Sequence, residues 1–157
     1  MTSAPVAVLE WPAMPERVRD IMETKLVTIS ASERLSMVED IMRLGHVRHM
    51  PVVQGGDLVG VVSERDLLRA SLSELSEHRD AERRMFLHVI EISRVMSSPP
   101  VVIGPDATIR EAALLMADRK IGCLPVVEGD RLIGLVTETD VLRWVTSAPA
   151  VSSRQSD

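Results

Sequence analysis

The feature that most constrains the fold is an internal duplication with one constant spacing. Four residues recur 74 positions later in the chain: Met22 as Met96, Pro51 as Pro125, Gly60 as Gly134 and Asp66 as Asp140. Because one offset holds without a gap across this whole span, the chain is two copies of a single structural unit. We place the copies at residues 18–70 and 92–146. An N-terminal arm (1–17), a helical connector (71–91) and a flexible tail (147–157) flank them.

Each copy carries the same order of predicted elements. A short β-rich run at 27–29 or 101–103 precedes apolar residues at helical spacing. Two apolar strands then flank a glycine-containing turn, which predicts a β-hairpin. A second helix begins at Ser63 in the first copy and at Thr137 in the second. The unit is therefore β-α-β-β-α, and the predicted fold class is α+β.

The first helix of each copy has a different predicted start. Thr108 and Glu111 form a capping-box pattern in the second copy. The first copy has Arg34 at the position of Thr108, so we expect Ser32 to cap its helix instead. Gly45 is expected to end that helix in a left-handed conformation.

A motif that could bind a ligand follows each hairpin. It reads Gly, two apolar residues, a hydroxyl residue, any two residues and Asp, and it places Ser63 with Asp66 and Thr137 with Asp140. Ser or Thr three residues before a carboxylate is a common helix cap. The same helix start can also hold an anion, while its carboxylate accepts hydrogen bonds from ribose hydroxyls. Spacing alone leaves both interpretations open.

Composition excludes several classes of protein and site. Aromatic residues are only 2% of the chain and the net charge is −5, so no nucleic-acid partner is expected. A lone cysteine, Cys123, and the isolated pair His46 and His49 predict neither a disulfide framework nor a metal site. We expect no signal peptide and no membrane partner, and hence a cytoplasmic protein.

Taken together, these motifs resemble a pair of CBS domains, the regulatory repeat named after cystathionine β-synthase. The resemblance is carried by the segments 21–23, 47–53 and 60–66 of the first copy and 95–97, 105–112, 121–127 and 134–140 of the second. It implies a two-repeat Bateman module, with the repeats packed by their sheets in pseudo-twofold symmetry and two clefts between them.

The resemblance also implies ligands and site residues. Members of the family commonly bind adenosine-containing ligands, among them AMP, ADP, ATP and S-adenosylmethionine, and no cofactor is required. The first implied site comprises Val27, Thr28, Arg48, His49, Pro51, Ser63, Arg65 and Asp66. The second comprises Val101, Val102, Gly122, Cys123, Pro125, Thr137, Thr139 and Asp140. In each, the aspartate would hold ribose hydroxyls.

The two implied sites differ in charge. The first has Arg48, His49 and Arg65 where the second has neutral residues. We therefore expect the first cleft to bind a phosphorylated adenosine more tightly. With so few aromatic residues, base recognition is expected to depend on aliphatic walls and backbone hydrogen bonds.

The leading hypothesis is a non-catalytic regulatory module that binds adenine nucleotides and acts as a homodimer, or on an unidentified regulated protein. No motif predicts a catalytic residue. The alternative is an interaction or dimerisation module in which the two hydroxyl–aspartate pairs are only helix caps. The connector is either a solvated spacer or part of a dimer surface that includes Met85, Phe86, Val89 and Ile90.

Overall fold

A computed structural model describes residues 16–74 and 80–147, except for the side chains of residues 72–74. The predicted tail after residue 147, the arm before residue 16 and the middle of the connector lie outside the described residues.

The described residues form six α-helices, one 3₁₀ turn and five strands. The helices are α1 Val18–Ile21, α2 Leu35–Gly45, α3 Glu64–Glu74, α4 Asp80–Val89, α5 Ile109–Arg119 and α6 Glu138–Ser147, and the 3₁₀ turn is Ile92–Arg94. The strands are β1 Ile29–Ser30, β2 His49–Gln54, β3 Asp57–Ser63, β4 Cys123–Glu128 and β5 Arg131–Thr137. Among these helices, none has the length and apolar character needed to cross a membrane.

Each copy contains the predicted hairpin, and α4 lies in the predicted helical connector. Strands β2 and β3 are antiparallel, as are β4 and β5, and both hairpins shift register at the same place, after Val52 and after Val126. Strand β1 adds to the first sheet in parallel with β2. The fold is thus α+β with two matching units, as the duplication predicted.

The first strand of each copy differs from the predicted run: β1 includes only Ile29 of residues 27–29, and the second copy has a single paired residue. Only Ile103 pairs with the sheet, as an isolated parallel bridge to Val126. Gly104 stands where the first copy has Ser30, the second residue of β1. Glycine weakens a strand because it has no side chain to pack and more backbone freedom to lose, which accounts for the difference.

Two details of the helix ends differ from the predictions, and one is confirmed. Ser32 does not cap α2: the backbone N–H of Leu35 donates to the carbonyl of Ile90, 3.0 Å away. His46 rather than Gly45 takes the left-handed conformation after α2, with φ of 52°. The capping box of α5 is confirmed, since Glu111 N donates to Thr108 Oγ1 at 3.1 Å.

Each copy completes its hydrophobic core with a segment from the start of the other copy. Ile92, the first residue of the second copy, is fully buried in the core around α2 and the β2–β3 hairpin. Val18, at the start of the first copy, is fully buried in the core around α5 and the β4–β5 hairpin. Neither copy therefore has a complete core without the other.

We call residues 18–23 and 92–97 the exchanged segments, because each contributes to the core of the other copy. Backbone pairing holds them in place. Ser97 pairs with Val61 of β3, and Glu23 pairs with Leu135 of β5. The methionine next to each pairing residue packs over the motif glycine of the opposite copy. A Cβ on Gly134 would lie 2.5 Å from Met22 Sδ, and a Cβ on Gly60 would lie 2.8 Å from Met96 Sδ. The absence of a side chain at both motif glycines thus leaves room for the methionine of the other copy.

Candidate ligand-binding clefts

The predicted residues of the first site lie at one end of the first sheet. His49 begins β2 directly opposite Ser63, the last residue of β3. Asp66 follows in the first turn of α3. Because β1 runs parallel to β2, Val27 and Thr28 precede Ile29 at this same end. Arg48 directly precedes His49, Arg65 directly precedes Asp66, and Pro51 is the third residue of β2.

The second copy repeats the arrangement. Cys123 begins β4 opposite Thr137, and Asp140 lies in the first turn of α6. The carbonyl of Gly122 accepts a hydrogen bond from Glu138 N at 3.0 Å, as that of Arg48 does from Glu64 N in the first copy. Val101, Val102, Pro125 and Thr139 occupy the positions that match Val27, Thr28, Pro51 and Arg65.

The hydroxyl and aspartate of each motif cap their helix. Ser63 Oγ and Ser63 N both donate to Asp66 Oδ2, at 2.7 and 2.8 Å. Thr137 makes the same two bonds to Asp140 Oδ2, at 2.6 and 2.8 Å. These bonds use only Oδ2 of each aspartate, so the cap is compatible with a contact from Asp66 Oδ1 to a ligand, whereas Asp140 Oδ1 lies 4.0 Å from a guanidinium nitrogen of Arg143.

The two predicted sets meet where the copies face each other. The ring of His49 lies against Gly122: a Cβ on that glycine would be 2.9 Å from His49 Nε2 and 3.5 Å from a carboxylate oxygen of Glu138. Burial and the nearby guanidinium of Arg48 lower the pKa of His49, although Glu138 and Asp66 act in the opposite direction.

Cys123 lies in the same region and is a poor nucleophile. Burial, assisted by the charges of Asp66 and Glu138, raises the pKa of its thiol to about 12. Since the thiolate is the reactive form, this thiol is inert at neutral pH. Within residues 16–74 and 80–147, no group of three or more His, Cys, Asp or Glu side chains could hold a metal ion.

An open cleft of about 580 Å³ lies beside Asp66. Its walls come from α3, from the connector and from the first residues of the second copy, and they include Asp66, Arg69, Phe86, Ile90, Arg94 and Ser97. Asp66 is the one member of the predicted first site among the lining residues. Residues of the second copy thus form part of the wall of a cleft beside the first copy's motif.

The other seven lining residues were absent from the sequence-predicted site, and three of them bring charge or an aromatic ring to the cleft. Arg69 and Arg94 are exposed, and neither has a carboxylate partner in the part of the chain that the structure describes. Phe86 brings an aromatic ring to the cleft, which the low aromatic content led us not to expect. Arg69 recurs as Arg143, and this was a usable signal, but no sequence pattern marks Phe86 or Arg94.

Comparison with known proteins identifies the family pattern. The family model described as "CBS domain" matches residues 18–73 and 92–147. A CBS domain-containing protein of Dictyostelium discoideum is 32% identical over 80% of this chain and 88% of its own.

Two solved structures share the architecture. A putative acetoin utilization protein, AcuB from Vibrio cholerae, is 30% identical with a TM-score of 0.72, covering 85% of this chain and 94% of its own. CBSX2, solved in complex with AMP, is 25% identical with a TM-score of 0.70, covering 83% and 97%.

Proposed function

The chain belongs to the CBS domain family, and on that premise we propose that it is a regulatory module that binds an adenine nucleotide in the cleft beside Asp66. The observation that carries this proposal is the cleft itself, which brings a carboxylate, an aromatic ring and two arginines to one opening, and neither arginine has a carboxylate partner among the described residues. Its volume of about 580 Å³ lies within the range usual for small-molecule sites, roughly 300–1,000 Å³.

Each part of a nucleotide has a matching group on the cleft wall. The free oxygen of the Asp66 carboxylate accepts hydrogen bonds from ribose hydroxyls. Arg69 and Arg94 supply guanidinium groups for a phosphate. Phe86 and Ile90 offer an aromatic face and an aliphatic wall to the base.

A relative supports AMP as the first ligand to test. CBSX2, which shares the fold and 25% of aligned residues, was solved with AMP bound. AMP carries the three groups that the cleft can recognise: base, ribose and phosphate. ADP, ATP and S-adenosylmethionine share the adenosine and differ in charge, so they are the comparison ligands.

The proposed role is sensing rather than catalysis. Both motif hydroxyls donate to their own aspartates, and the thiol of Cys123 has a raised pKa. A change in the cleft has a direct route to both copies, because its walls include α3 of the first copy and the first residues of the second. Ligand binding is proposed to shift the packing of the copies, which a partner protein then reads.

We further propose a homodimer through the outer faces of α3 and α6. Leu68 and Leu142 occupy equivalent positions and are 55% and 63% exposed. The same large apolar residue is thus presented to solvent by both copies. A twofold partner would bury both leucines at once. Met85 and Val89 are also exposed, on the connector helix.

A second candidate function is an interaction module with no ligand. The observation that favours it is that Ser63 with Asp66 and Thr137 with Asp140 already form complete helix caps. A thermal-shift panel of AMP, ADP, ATP and S-adenosylmethionine separates the two functions. A ligand at about 100 times its Kd stabilises a folded protein by roughly 2.7 kcal/mol. A rise in Tm with an adenosine ligand supports the sensor, whereas none with any of the four supports the interaction module.

A further inference from the structure

The two copies differ in charge at matching positions around their motif aspartates. Beside Asp66, the cleft wall includes Arg94, Ser97 and Ile90. The residues 74 positions away from these three are Asp20, Glu23 and Glu16. Arg69 is matched by Arg143. The first copy therefore has two arginines and one carboxylate around its motif, while the second has one arginine and four carboxylates.

The matching positions are also equivalent in space. Ser97 pairs with Val61, and Glu23 pairs with Leu135. Ser97 lies 74 residues after Glu23 and Leu135 lies 74 residues after Val61, so the two pairs are equivalent. Helix α1 carries Asp20 and packs against α6, the helix of Asp140. The 74-residue correspondence therefore makes Asp20 the counterpart of Arg94, which lines the cleft beside Asp66.

Two arginines near Asp20 in sequence, Arg17 and Arg19, bind Asp106 instead. Arg19 binds the carboxylate of Asp106, with its Nε 3.0 Å from Oδ1. Arg17 donates from its side chain to the carbonyl of Asp106 at 2.8 Å. Asp20 itself accepts only a local bond, from Arg17 N, among the hydrogen bonds between described residues. The acidic character around Asp140 is therefore not cancelled by these two arginines.

Resting on the proposed nucleotide-binding function, we propose that Arg94 directs phosphorylated ligands to the Asp66 cleft and that Asp20, its counterpart, keeps them away from Asp140. The site for a nucleoside phosphate is then single per chain, and its charge preference comes from a residue of the exchanged segment rather than from the motif.

The size of the effect follows from simple electrostatics. A guanidinium binds phosphate through charge-assisted hydrogen bonds, which are about twice as strong as neutral ones. Replacing it with a carboxylate also introduces repulsion. We expect a loss in AMP affinity of tenfold or more, since a hydrogen bond to a charged group corresponds to about a tenfold or larger change. Adenosine has no phosphate, so its affinity is expected to stay the same.

The test is calorimetric titration of the full chain with AMP and with adenosine. The variants are Arg94→Asp and Asp20→Arg, both at exposed positions. Arg131→Asp is the matched control, because it makes the same charge reversal at the turn end of the β4–β5 hairpin, six residues along β5 from Thr137. We expect one AMP per chain in the wild type, weaker AMP binding with unchanged adenosine binding in Arg94→Asp, and a second AMP in Asp20→Arg. The control should bind as the wild type does.

The outcomes separate this inference from the proposed function. If the wild type binds neither AMP nor adenosine, the proposed function fails and the inference fails with it. If AMP binds but Arg94→Asp leaves its affinity unchanged, or weakens adenosine equally, only the charge assignment is overturned. Two equal AMP sites in the wild type would also overturn it, since Asp20 would then not exclude phosphate.

Discussion

His49 of the first copy fills the space in front of Gly122 of the second. Its Nε2 lies 2.9 Å from the point where a Cβ on Gly122 would stand. The ring is half-buried beside Arg48, and it lies where the two predicted ligand sites face each other. The protonation state of one side chain therefore bears directly on the contact between the copies.

The first prediction concerns the pH dependence of stability. Burial and Arg48 hold the pKa of His49 below its ordinary value of 6.5, so the unfolded chain binds this proton more readily than the folded chain. The free energy of unfolding should be highest above pH 6.5 and should fall as pH drops below it. In urea denaturation across this pH range, the unfolding free energy of His49→Gln should fall less steeply than that of the wild type. His88→Gln, at an exposed position on α4, is the control; identical slopes in all three would contradict the prediction.

The second prediction concerns the motif glycine of the first copy. A Cβ on Gly60 would lie 2.7 Å from the carbonyl oxygen of Ser97 and 2.8 Å from Met96 Sδ. Gly60→Ala should therefore push the exchanged segment off β3, at a cost of about 1–3 kcal/mol in unfolding free energy. Gly104→Ala is the matched control, because no atom lies within 4 Å of its Cβ position. Equal stability of the two variants in chemical denaturation would refute the clash.

The third prediction tests which core Ile92 belongs to. This side chain is fully buried in the first core although it stands at the start of the second copy. Ile92→Ala should lower the unfolding free energy by about 2–5 kcal/mol. Hydrogen exchange should report the loss of protection in β2 and β3. Loss of protection confined to β4 and β5 would show that Ile92 does not belong to the core of the first copy. Val89→Ala, exposed on α4, should change neither measurement.

The fourth prediction concerns the proposed dimer. Leu142→Glu places a charge at a position that is 63% exposed in one chain, so the monomer fold should persist while the dimer interface is lost. Light scattering after size exclusion should give a dimer for the wild type and a monomer for this variant. Leu44→Glu is the comparison, because Leu44 is also exposed but is matched by Asp118 in the other copy. A monomeric wild type, or a dimeric Leu142→Glu, would rule out this interface.

Local features of the fold could be predicted from sequence, and non-local ones could not. The hairpins and the Thr108 cap depend on residues close together in the chain, so their patterns are visible in it. The cap of α2 comes from the carbonyl of Ile90, 55 residues away from Leu35, and no local pattern marks such a partner. The exchange of Val18 and Ile92 between cores was missed for the same reason.

The residues of the candidate site likewise include some that the sequence could predict and some that it could not. Asp66 could be found because its motif is duplicated, and the structure places it on the cleft. Phe86 and Arg94 reach that cleft only because the connector and the exchanged segment fold back over α3. Their side chains carry no repeated pattern, since the residue that matches Arg94 is Asp20.

The most direct test of the account is calorimetric titration of AMP into the wild type, Asp66→Asn and Asp140→Asn. Both substitutions alter the same helix-cap bonds, in matched positions of the two copies, so they act as controls for each other. We expect Asp66→Asn to weaken AMP binding by about tenfold or more, because a charged acceptor for the ribose is lost. Asp140→Asn should bind AMP as the wild type does. Equal binding by all three proteins, or a greater loss in Asp140→Asn, would contradict the assignment of the nucleotide to the Asp66 cleft.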